Sequence, residues 1–341
     1  MSEQRDPRKP AARPAAGPAP GGTPAFLSIQ GRMGGPDADA VYEIKSTVLG
    51  AWNVLKDATD LSPRNPLINM TLSTLVNTLA QRHDVATVRA VVDDPEIREI
   101  MPSMWSKLSV AEGQMEAFWA DHFNRKRGGV SVDDLNEFIY RDNYDELTKM
   151  ELGHWRSKGD GADKDSHIFF VGSGPLPLTA IDYHLKTGAK VTCVDNDPNA
   201  VAQSRALIRK LGLDNHIDVV QKAGDEVDYS NASHVVVAAL VMNQPKVVRH
   251  VLEDNPSALL GVRSASGLRT ILYPPADTRS LKAIGLESTG ASPINERVIN
   301  TLLTFRPGPK LDLDALPPAA KKNCATCDTV DCDARRKMMG L

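Results

Sequence analysis

The sequence has little net charge: 40 lysines and arginines nearly balance 43 acids, leaving a formal −3. That balance argues against bulk binding to nucleic acid, which selects a basic surface. No apolar run approaches the roughly eighteen residues that cross a bilayer, so no membrane-spanning helix is expected. The first residues are basic but lead into no hydrophobic segment, unlike a secretory signal. Four cysteines in 341 residues make no disulfide framework. Reduced thiols and a cytoplasmic location are therefore expected. A full dinucleotide fingerprint is also missing, because the glycine loop reads GxG and then runs into two prolines.

What is present is organised around residues 167–195. Ile168 to Val171 is a short apolar run that reads as a buried parallel strand. It breaks at Gly172-Ser173-Gly174-Pro175, where glycines permit a sharp turn and close approach of a ligand. Pro175 suits the first turn of a helix, and Leu176 to Thr187 has helical spacing. A second strand, Val191 to Val194, ends on Asp195. Strand, glycine loop, helix, strand and acid form the opening of a doubly wound nucleotide-binding domain. The acid suits ribose hydroxyls, and the short loop favours an adenosyl ligand over a diphosphate.

The flanking chain divides by composition. Residues 1–39 are Pro/Ala/Gly-rich and are expected to be disordered. Residues 40–156 read as a helical domain and 157–166 as a linker. A Rossmann-like domain follows over 167–306, and 307–341 is a Cys-containing tail. The fold class is α/β: a class I methyltransferase-like domain with a parallel-rich seven-stranded sheet, preceded by helices. In the helical part, Ile97 to Asn124 is a long stretch interrupted early by Pro102. Glu112 and Glu116 are four apart on one helix face; by spacing alone they read as a solvated pair. Gly113 between them suggests close approach of a neighbour. Tyr144, on a helix expected over Val132 to Met150, reads by itself as a packing tyrosine.

Further strands are expected at Ile217–Gln221, His234–Leu240, Leu259–Arg263, Thr270–Pro274 and Val298–Phe305. Gly224 and Asp225 follow the third of the seven, where an acid commonly reaches the amine of adenine or merely caps a turn. Leu240, Val241, Met242 and Asn243 sit at the C-terminal end of the fourth, the ligand edge of such sheets. In the tail, Cys324, Cys327 and Cys332 form C-x2-C-x4-C without a fourth ligand nearby, so no metal is assigned.

Several stretches together resemble nicotianamine synthase. They are Phe170 to Thr179 (FVGSGPLPLT), Ala238 to Val241, Arg263 to Arg269 (RSASGLR), Leu272-Tyr273-Pro274, Leu61-Ser62-Pro63 with Asn69, Ala111 to Glu116 (AEGQME), and Asn143-Tyr144. The resemblance spans about Val41 to Phe305. It implies S-adenosylmethionine as a substrate, methylthioadenosine as product, and transfer of the 3-amino-3-carboxypropyl (aminobutanoyl) group rather than methyl. It further implies that Gly172, Ser173, Gly174 and Asp195, with Pro175, Gly224, Asp225 and Leu240, hold the adenosyl part. Glu116 with Glu112 and Tyr144 would handle the reacting amine, and Asn243 would fix the amine or carboxylate.

The chain departs from the family at Met242-Asn243, where the family has Gly-Met, and in the loop 125–132 and both tails. These departures leave the acceptor open. One branch of the family uses no acceptor and cyclises the donor's own chain to azetidine-2-carboxylate, and this is the favoured expectation. Intermolecular transfer is the alternative. A small-molecule methyltransferase and a catalytically silent metal-binding protein are weaker readings. A small-molecule partner is expected, without nucleic acid or membrane, and a homodimer is compatible with all of these readings.

Overall fold

The computed structural model describes residues 35–315. Five α-helices precede the first strand, and local chemistry starts most of them. Asp37 caps α1 (Ala38–Leu55) by accepting from the N–H groups of Asp39 and Ala40. Asn65 caps α2 (Pro66–Ala80), and Asp84 caps α3 (Val85–Val92). Asp94 caps α4 (Pro95–Arg125), the longest helix. Prolines at the first positions of α2 and α4 cost no hydrogen bond there. α5 (Arg141–Ser157) follows a 3-10 turn at Asp133–Glu137.

The sheet has seven strands: β1 (His167–Val171), β2 (Lys190–Asp195), β3 (Ile217–Gln221), β4 (His234–Val237), β5 (Leu259–Ser264), β6 (Leu286–Ala291) and β7 (Thr301–Pro307). Their order is β3-β2-β1-β4-β5-β7-β6. β1 to β5 are parallel, and β7 runs antiparallel to both β5 and β6. The strand order reverses between β1 and β4, so their C-terminal ends open a crevice there. Between the strands lie α6 (Leu178–Thr187), α7 (Pro198–Lys210), α8 (Gln244–Asp254) and α9 (Thr278–Ala283). This is the α/β architecture that the sequence pattern predicts.

The core has three parts. Phe170, Ile181, Val191 and Leu207 pack on one face of the sheet, joined by Phe123, Leu152 and Trp155 from α4 and α5. Val171, Val237, Val248 and Phe305 fill the other face. A third cluster joins α1 to α4 with Leu268, Ile271 and Leu272.

That third cluster explains one departure from expectation. Thr270–Pro274 is not a strand: Gly267–Ile271 forms a 3-10 turn whose apolar residues are buried by the N-terminal helices. The missing strand is β6, whose sequence LESTGA is largely outward-facing and carries no apolar alternation. Pro102 does not interrupt α4, because Met101 and Met104 anchor the flanking turns in the core. The helix containing Tyr144 starts at Arg141 rather than Val132, after that separate 3-10 turn. β4 ends at Val237, before Ala238 to Leu240. α6 begins at Leu178, so Pro175 lies before it. Gly174 and Leu176 each precede a proline, which disfavours helical geometry and holds 172–177 open.

Candidate active site

The C-terminal end of β1 is where sheet and helices meet. The amides of Gly172 and Ser173 donate to the carbonyl of Val194 at 2.8 and 3.2 Å. Gly174 N–H donates to Asp195 Oδ2 at 2.8 Å, and Asp197 N–H to Oδ1 at 3.0 Å. The loop and the acid after β2 thus form one unit. Gly172 and Gly174 have φ of +80° and +67°, the left-handed region that favours glycine. A Cβ at Gly172 would lie 2.6 Å from Val241 Cγ2, and one at Gly174 would strike Glu116 Oε2. Ser173 Oγ is buried without a hydrogen-bond partner among the described residues; the Cys193 thiol lies near it without completing a bond. Burial pushes that thiol up to about 12. A glycine loop with an unpaired hydroxyl and a half-buried acid suits an adenosyl ligand.

The helical side contributes the chemistry. Four-residue spacing on α4 brings Glu112 and Glu116 to one face, and that face points inward rather than to solvent. Glu116 is 9% exposed. Tyr144 Oη donates to Glu116 Oε1 at 2.8 Å, and Tyr273 Oη donates to Glu112 Oε2 at 2.6 Å. Burial raises the proton affinity of Glu116 well above the ordinary carboxylate range; repulsion from Glu112 adds to it, against the Tyr144 bond. Burial raises Glu112 as well, despite its bond from Tyr273 and the charge of Arg263. Burial and the neighbouring carboxylates push both tyrosines upward, so they remain protonated donors. Two carboxylates of elevated proton affinity, each oriented by a tyrosine, are chemically able to exchange protons as a pair. Gly113 has a different place: it is exposed with open space beyond it, a quarter-turn away from the acids.

Other sequence-selected residues are placed differently. Gly224 is a packing glycine, where a Cβ would come within 2.7 Å of Val171. Asp225 pairs with Lys246; burial pushes its carboxyl up, but that contact holds it below its ordinary value. Pro175 is buried in the loop and Leu240 is half-buried after β4. Asn243 is not brought to the acids. It is exposed, in the left-handed region (φ 58°), and its carbonyl accepts from Lys246 N–H at the start of α8. In the sequence Tyr273 stands out only as part of Leu272-Tyr273-Pro274; the fold brings it to Glu112.

A further buried network supports the site. Arg263 at the end of β5 makes a two-point contact with Glu151 of α5, at 2.8 and 2.9 Å. Tyr183 Oη donates to Glu151 Oε2 at 2.6 Å. Two other resemblance residues hold the turn before α2: Asn69 Nδ2 donates to the Pro63 carbonyl, and Leu61 N–H to Gln114 Oε1.

A family model described as "Nicotianamine synthase protein" matches residues 39–310. The chain belongs to the nicotianamine synthase family. It is 30% identical over 299 residues to a nicotianamine synthase of Solanum lycopersicum, covering 83% of this chain and 87% of that one. It is 30% identical over 126 residues to an L-histidine 2-aminobutanoyltransferase of Pseudomonas aeruginosa (strain UCBPP-PA14), over 36% of this chain and 47% of that one. The solved structure of MtNAS in complex with MTA and tNA shares the fold, with a TM-score of 0.66 at 23% identity. It covers 80% of this chain and 98% of the other. Among the described residues no helix is long and apolar enough to cross a membrane, and no group of three or more His, Cys, Asp or Glu is placed to hold a metal. Cys324, Cys327 and Cys332 lie outside the described residues.

Proposed function

We propose that the protein breaks the bond between sulfur and the aminobutanoyl chain of S-adenosylmethionine, releasing methylthioadenosine. The family relationship supports this, as do relatives named for nicotianamine synthesis and 2-aminobutanoyl transfer. The solved complex of the E81Q mutant of MtNAS with S-adenosylmethionine has the same fold. The observation that carries the reading is Glu116, held by Tyr144 and set against Gly174 of the loop. A proton acceptor thus adjoins the loop that would hold the adenosyl end.

The sulfonium activates three carbons, and geometry selects among them because displacement is in line with the breaking C–S bond. The adenosyl group would be held by Gly172, Ser173, Gly174, Pro175 and Asp195, with Leu240 beside its base; Gly224 and Asp225, taken up by packing and by Lys246, are left out. The γ-carbon then faces the acids. An amine must lose a proton before it has a lone pair to attack with, and the Glu116 carboxylate accepts it. Nitrogen then bonds to the γ-carbon, and the C–S pair returns to sulfur as neutral methylthioadenosine leaves. Charge disappears from the sulfonium, so a site that excludes water favours the step.

For the identity of the amine we favour the donor's own α-amine, giving azetidine-2-carboxylic acid. The departure at Met242-Asn243 motivates this, since both residues are exposed at the mouth of β4 and not packed as an acceptor wall. A second reading, transfer to a separate amine in nicotianamine or opine-type metallophore synthesis, is favoured by the long match to a nicotianamine synthase. Incubation with S-adenosylmethionine alone separates the two. A four-membered cyclic amino acid with methylthioadenosine supports cyclisation. Turnover only after adding an amine supports transfer, and adenosylhomocysteine as product would overturn both.

A further inference from the structure

Arg263 is the cation of the buried site, and only part of its guanidinium is used by the protein. It is 6% exposed at the C-terminal end of β5. Nε donates to Glu151 Oε1; Nη2 donates to Glu151 Oε2 and, at 3.1 Å, to Thr179 Oγ1. The ring of Phe170 lies beneath, with Cζ 4.9 Å from its centroid. These contacts fix the plane of the group. Nη1 donates to no described residue. It is also not among the buried polar atoms sealed away without a partner, as Arg269 Nε is. Nη1 is therefore unpaired among the described residues and not fully sealed from solvent.

The guanidinium sits over Phe170 of β1 and against Thr179 at the start of α6, next to the loop that adjoins Glu116. The charge of Arg263 acts on Glu112 and Glu116, and on Tyr144 and Tyr273 bonded to them. An aminobutanoyl donor carries a carboxylate into this site, where Glu112, Glu116 and Asp195 already supply negative charge. Left without a cation, that carboxylate would be repelled. A guanidinium held rigid on one edge and free on another is suited to it, because the carboxylate side of the pairing is the only part still to be ordered.

Resting on the proposed use of S-adenosylmethionine, we infer that Arg263, through Nη1, binds the carboxylate of the donor's amino-acid arm. Glu151, Thr179 and Tyr183 hold Arg263 in place for that contact. The consequence is a choice of donor: a carboxylate is required on the arm that reacts. Recognition at this end also fixes which way the arm runs, so that its γ-carbon is presented near Glu116.

Calorimetric binding of three probes to the full chain tests this: S-adenosylmethionine, its carboxamide analogue and methylthioadenosine. A charge-assisted contact predicts that the wild type binds the carboxamide about 10- to 100-fold more weakly than the acid. In Arg263→Gln that ratio should fall to within about threefold, with methylthioadenosine affinity retained because it lacks the arm. If the Gln variant does not bind methylthioadenosine, Arg263→Lys is measured by the same criterion, its shorter head being withdrawn from the Nη1 position. Equal wild-type affinity for acid and carboxamide would overturn the assignment. So would an undiminished preference in a variant that still binds methylthioadenosine. Failure of the wild type to bind either S-adenosylmethionine or methylthioadenosine would instead remove the functional reading, and this assignment with it.

Discussion

Tyr144 Oη donates a 2.8 Å hydrogen bond to Glu116 Oε1, and the same carboxyl fills the space where a Cβ on Gly174 would stand. One side chain therefore touches a helix from before the sheet and the loop that leaves β1. Tyr144 and Glu116 are 28 positions apart, on different helices. The acid that reads as solvated in the sequence is thus buried and accepts a hydrogen bond.

Glu116→Gln should bind S-adenosylmethionine and turn it over very slowly. Loss of a positioned proton acceptor costs about 10²- to 10⁴-fold in rate. Methylthioadenosine release under saturating donor measures the loss, and calorimetry measures retained binding. A variant within about threefold of wild-type turnover would remove Glu116 from the chemistry.

The acid limb of kcat/KM should have its midpoint above the ordinary glutamate value of 4.5, because burial raises Glu116 first and Glu112 repulsion adds to it. The limb belongs to the Glu112–Glu116 pair jointly. The stability consequence has the opposite sense. The folded state holds the proton more tightly than the unfolded chain, so this contribution is fully present below 4.5 and is lost as pH rises through the folded value. Denaturant midpoints against pH should therefore fall less steeply in Glu116→Gln than in wild type over that window.

Gly174→Ala should abolish activity. The position has φ of +67°, and the added Cβ would strike Glu116. Backbone strain alone costs on the order of 1–3 kcal/mol, and displacement of Glu116 would break its bond from Tyr144. Urea unfolding and methylthioadenosine release measure the two effects. Full activity would show that the loop and the acid are not in contact.

Arg141→Ala should destabilise the fold without touching the acid pair. Arg141 grips Asp182 at 2.8 and 2.5 Å, and the Asp182 side chain is 1% exposed. Removing the partner of a buried charge costs about 3–5 kcal/mol. Lys186 at 3.4 Å and Thr148 at 3.2 Å remain to moderate the loss, so the low end is expected from urea titration. An unchanged midpoint at unchanged m-value would contradict it.

Local chemistry made much of the fold legible. The long helices α1, α2 and α4 follow from apolar spacing, whereas α3 (Val85–Val92), two turns started by the Asp84 cap, is too short for its spacing to have been read. β1, the glycine loop and Asp195 are readable because a buried parallel strand must be apolar and a tight exit from it needs glycine. β6 was not readable. It is an edge strand paired on one side only, so four of its residues are polar or glycine and nothing in their pattern alternates.

The site divides in the same way. Glu112, Glu116 and Tyr144 could be selected from motifs, and their shared helix face follows from spacing alone. Burial did not follow, because a helix face is polar or hidden only in relation to what packs on it. Tyr273 meets Glu112 across 161 positions, and Arg263 meets Glu151 across 112. Contacts of that span are set by the sheet order and by the packing of α4 and α5 against it. By itself the sequence determined the elements, the ligand loop and the residue types available for chemistry, because these depend on neighbours within a few positions. The tertiary structure alone decided which acids are desolvated, which tyrosine holds each, and which edge of Arg263 is left unpaired. Those properties depend on what surrounds a group in space.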